Sequence, residues 1–73
     1  MKKIDGNKTV YTLIEENPEL KSVLVELGFT PLNNETMLNT VGRMMTLNNG
    51  AKQIDLAPEK LISGLRAADF ELV

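Results

Sequence analysis

Histidine and cysteine are missing from all 73 positions, and each absence closes off a branch of chemistry. Without histidine, no side chain has an ordinary pKa near neutrality for shuttling protons or ligating a transition metal. Without cysteine there is no thiolate nucleophile, no disulfide and no soft metal ligand. Structural zinc draws its ligands mostly from these two residues and goes with them. No Asp/Asn loop has the spacing of a calcium site, so no metal or cofactor is expected. Arginine occurs only as Arg43 and Arg66, and the lysines are dispersed apart from Lys2 and Lys3. A net charge of −2 without a clustered basic face argues against nucleic acid as a partner. No run approaches the roughly 20 apolar residues of a membrane-spanning helix. The opening Met1-Lys2-Lys3-Ile4-Asp5-Gly6 has the charges of a secretory leader but no apolar block after them. A cytoplasmic chain without a membrane partner is therefore expected.

What is present reads as one small domain over residues 1–73. A chain of this size buries only about 60–65% of its unfolded surface. Disulfides and zinc being excluded, either the helices pack well alone or a partner surface completes the core, and self-association is a candidate on that ground.

The pattern along the chain predicts an all-α fold, a compact array of four to five short helices with a small two-stranded terminal ribbon. Residues 2–8 suit a short edge strand or an extended arm. Thr9 is a plausible N-cap, with Val10, Leu13 and Ile14 following at helical spacing. Asn17-Pro18-Glu19 predicts a second start, and Leu20, Val23, Leu24 and Leu27 fall on one face of a helix over residues 18–27. Gly28 stops that helix, because glycine takes a left-handed conformation at little cost. Pro31 pushes Thr30 out of helical angles. Asn33-Asn34 offers a cap for a single turn from Glu35 to Leu38, and Asn39 or Thr40 then caps a short helix through Met45. Gly42 inside it costs about 1 kcal/mol relative to Ala, which a close helix–helix approach would offset. Thr46 opens another helix to about Gln53, and Pro58 a last one whose face carries Leu61, Ile62, Leu65 and Ala68. Phe70-Glu71-Leu72-Val73 looks extended and could pair with residues 2–6.

Few constellations carry chemistry. Glu15, Glu16 and Glu19 are close in sequence, but adjacent helical residues diverge by about 100°, so a solvated face is expected rather than a pair of acids. Asn39, Thr40 and Arg43 resemble a helix N-terminus with a cation one turn in, a candidate anion site. Core filling is expected for Met37 and Met44, whereas one exposed Met beside Phe29 and Leu32 would mark a partner groove. Ser63 has no histidine to activate it, and Lys60 would project into water beside it. No enzymatic activity is expected.

Asn17-Pro18-Glu19-Leu20, Val23-Leu24-Val25-Glu26-Leu27-Gly28, Gly28-Phe29-Thr30-Pro31-Leu32 and Asn39-Thr40-Val41-Gly42-Arg43-Met44-Met45-Thr46 together resemble a small bacterial family. It is the hybrid-cluster-protein-associated redox-disulfide domain, a domain of unknown function also similar to the N-terminal segment of iron–sulfur-centre repair proteins. The likeness runs from about Thr9 to Val73, closing on an aromatic-Glu-hydrophobic ending. It implies a compact helical fold, often encoded beside a larger protein with hemerythrin-like and sensory domains, which is the partner it suggests. Cysteine-bearing members have two cysteines just after the equivalent of Gly28-Phe29. Those positions fall here at about Pro31 and Asn34, so this chain resembles a cysteine-free branch to which the redox role does not carry over.

The leading expectation is a non-enzymatic interaction or regulatory accessory module, with Phe29, Pro31, Leu32 and Met45 as the candidate surface, since loops on rigid scaffolds favour recognition; the competing reading is that Phe29 and Leu32 plug one end of the helical array. A small-ligand sensor for an anionic or apolar molecule at Asn39, Thr40 and Arg43 is the alternative. An accessory to redox or iron-centre proteins follows from the resemblance alone.

Overall fold

A computed structural model describes all residues, 1–73. Strand β1 (Lys2–Ile4) is followed by helices α1 (Val10–Glu16) and α2 (Leu20–Leu27), a 3-10 turn (Thr30–Asn33), helices α3 (Glu35–Met44), α4 (Leu47–Gln53) and α5 (Pro58–Ala67), and strand β2 (Phe70–Leu72). The expected ribbon between the chain ends is present. The two strands run parallel, with Lys2 opposite Phe70 and Ile4 opposite Leu72.

Helix α1 starts where its cap dictates. Thr9 is extended and its hydroxyl accepts from the Thr12 N–H at 3.2 Å. Thr46 does the same for α4, accepting from the Asn49 N–H at 3.2 Å. The two caps lie side by side in an antiparallel bridge. The Val10 N–H donates to the Met45 carbonyl (2.9 Å) and the Leu47 N–H to the Lys8 carbonyl (3.2 Å).

Three helices end on a residue in the left-handed region. After α2, Gly28 (φ 123°) donates to Val25 O and Phe29 to Leu24 O, the paired bonds of a Schellman ending. After α4 the same pair runs from Asp55 (φ 55°) to Lys52 O and from Leu56 to Ala51 O. Asp69 (φ 68°) follows α5. Each reversal returns an apolar residue towards the interior: Phe29 and Phe70 are buried and Leu56 is half-buried.

The core is an apolar cluster running from Ile4 to Phe70 through α1, α2, α4 and α5, with no buried polar side chain. Leu20 and Leu24 supply α2's share, while Val23 and Leu27 are only half-buried against it. On α5, Leu61 and Leu65 are buried and Ala68 is half-buried, but Ile62 faces outward.

Two expected boundaries are corrected. Helix α2 begins at Leu20, not Pro18, because Asn17 closes α1 and residues 17–20 form a tight turn in which the Leu20 N–H donates to the Asn17 carbonyl (2.9 Å). The expected turn and short helix between Glu35 and Met45 are one helix, α3. It is capped by Asn34, whose side-chain oxygen accepts from the Thr36 and Met37 N–H groups. Thr40 does not break it, since its hydroxyl donates to the Thr36 carbonyl at 2.8 Å. Gly42 has the anticipated role: a Cβ there would lie 3.7 Å from the Tyr11 backbone nitrogen, so α3 rests directly on α1.

Two stability measurements follow. Leu24 is fully buried, so Leu24→Ala should cost about 2–5 kcal/mol in urea denaturation; a cost under about 1 kcal/mol contradicts its place in the core. Asp55→Gly relieves a left-handed non-glycine residue and should raise stability by about 0.5–1 kcal/mol, and a loss would show that the aspartate side chain is needed there.

Candidate functional site

The strip Phe29, Pro31, Leu32 and Met45 is divided by the fold. Gly28 turns the chain so that Phe29 drops into the core, 2% exposed, and the 3-10 turn carries Leu32 in after it, also 2% exposed. Pro31 stays on the surface and Met45 is half-buried. The two aromatic and aliphatic anchors of the expected surface are therefore interior groups, reached from outside only as a floor.

That floor lies under a groove. A cavity of about 130 Å³ is lined by Phe29, Pro31, Leu32, Met37, Val41 and Met45, with Gln53 and Ile54 closing one side. It adjoins a shallower depression of about 300 Å³ lined by Val41, Met44, Met45, Asn49 and Gln53. The two share Val41, Met45 and Gln53, so they form one trough between α3 and α4, and no charged side chain lines it.

The helix geometry explains the trough. Once the Met45 carbonyl is taken by Val10, α3 stops and α4 starts one residue later from Thr46. Leu38 and Met45 pack against the core, and Gly42 is the only buried residue of α3. Met37, Val41 and Met44, at i, i+4 and i+7, form a second apolar stripe facing outward. Their exposures are 37%, 38% and 87%, and Ile54 opposite is 39% exposed. This corrects the expectation that Met37 and Met44 fill the core. Met37 instead meets the other condition, an exposed methionine beside Phe29 and Leu32. Val41, Ile54, Asn49 and Gln53 were missed; the i, i+4, i+7 spacing of Met37, Val41 and Met44 is the signal that exposes the stripe.

Asn39, Thr40 and Arg43 are not at a helix start. All three lie inside α3, whose free N–H groups are at its other end beneath the Asn34 side chain. Arg43 lies over the Tyr11 ring, 4.2 Å from its centroid, and donates to the Tyr11 hydroxyl at 3.1 Å. That hydroxyl donates to Glu15 at 3.1 Å. This stack bolts α3 to α1 and has the geometry of a structural clamp.

The remaining carboxylates diverge. Glu16 pairs with Lys8 at 3.2 Å and Glu19 with Lys2 at 3.0 Å. A hydrogen bond from its own backbone, then the Lys2 ammonium, holds the Glu19 carboxyl below its ordinary range. What stability this gives is present at neutral pH and is lost as the pH falls through the depressed value. Ser63 and Lys60 are both on the exposed side of α5.

The clamp and anion-site readings of Arg43 separate in one titration. Arg43→Met should lower stability by about 0.5–1 kcal/mol. Added phosphate should shift the melting temperatures of wild type and variant equally, whereas a larger shift in the wild type would assign Arg43 to an anion site.

Comparison with known proteins bears on this surface only through the family. The pattern of a family described as a domain of unknown function (DUF1858) matches residues 4–62. A solved structure, described as "the crystal structure of the conserved domain protein from Streptococcus pneumoniae TIGR4", is similar with a TM-score of 0.94 and 37% sequence identity, covering 100% of this chain and 92% of that one. No curated protein matches the chain.

Proposed function

We propose, for a chain that belongs to the domain family of unknown function DUF1858, that it is a non-enzymatic protein-interaction module whose contact surface is the trough between α3 and α4. The observation that carries this reading is the outward stripe of Met37, Val41 and Met44 beside an apolar cavity with no charged lining. Methionine adapts to irregular partner surfaces, and interface cores are depleted in charge. The lack of histidine and cysteine supports a role in recognition rather than catalysis.

The resemblance to cysteine-bearing redox-disulfide domains extends the reading to a partner with an iron centre, such as a hemerythrin-like protein encoded nearby. By the resemblance the thiol positions fall at about Pro31, inside the 3-10 turn, and Asn34, the extended residue that closes it and caps α3. Pro31 also lines the trough. On this reading the cysteine-free chain keeps the recognition surface and leaves the electron chemistry to its partner. A bacterial, cytoplasmic setting belongs to the same proposal, and the Streptococcus pneumoniae relative supports the bacterial part.

Val41→Lys places a charge in the trough at an exposed helical position and should leave the circular dichroism spectrum unchanged. Used as bait in extract of the source cells, wild-type protein should retain proteins that Val41→Lys does not. An identical retained set for both baits overturns the trough as the contact surface.

A further inference from the structure

We draw no further inference here: the strongest candidate, the exposed apolar stripe of Met37, Val41 and Met44 on α3 beside the cavity floored by Phe29 and Leu32, belongs to the site already described, and nothing in the structure shows what covers it.

Discussion

Two extended threonines organise most of this chain. Thr9 and Thr46 pair antiparallel, so the N-terminal ends of α1 and α4 are fixed against each other by the Val10–Met45 and Leu47–Lys8 hydrogen bonds. Each hydroxyl is at the same time the cap of its own helix. A backbone bond that starts one helix thereby ends another, since the Met45 carbonyl accepting from Val10 is the point at which α3 stops. The directions of α1, α3 and α4 are tied to one bridge, and an extended two-residue interruption does what a longer loop would do elsewhere.

The bridge leaves α3 in an unusual balance. It touches α1 through Gly42 and the Arg43–Tyr11 stack, and it reaches the core with Leu38 and Met45. Neither contact covers its other apolar edge. A helix of 10 residues is too short to hold itself together in water and takes its stability from packing. Here that packing falls on one of two apolar stripes, and Met37, Val41 and Met44 remain in solvent.

Much of the fold was legible wherever a local signal and a tertiary need coincided. Thr9, Thr46, Gly28 and Pro58 act at helix ends as their chemistry suggests, Leu20 and Leu24 are core, and the chain ends pair. Legibility failed where a polar residue was satisfied in a way its identity does not announce. Asn39, Thr40 and Gly42 look like interruptions, yet Asn39 faces water, Thr40 bonds back to Thr36, and Gly42 is a contact point. Reading them as a helix start placed an anion site where the backbone N–H groups are already engaged. Asp55 and Asp69 in left-handed conformations were equally hidden, since aspartate at a helix end suggests a start and here marks a stop. At the candidate surface, the burial of Phe29 and Leu32 agrees with the reading in which they plug one end of the helical array, whereas the stripe of Met37, Val41 and Met44 above them was hidden because methionine and valine are taken first as core residues.

The parallel pairing of β1 with β2 makes residues 2–4 depend on residues 70–72. Ile4 is almost wholly enclosed, and its strand partner is Leu72. During synthesis, at about 5–20 residues per second, β1 has no strand neighbour until residues 70–72 have emerged from the ribosome. The helices between can assemble in order of appearance, each from local signals, while the two ends wait. Closure of the ribbon is thus a late event that depends on Phe70–Leu72 being in place: until then Ile4 and the edge of β1 stay uncovered.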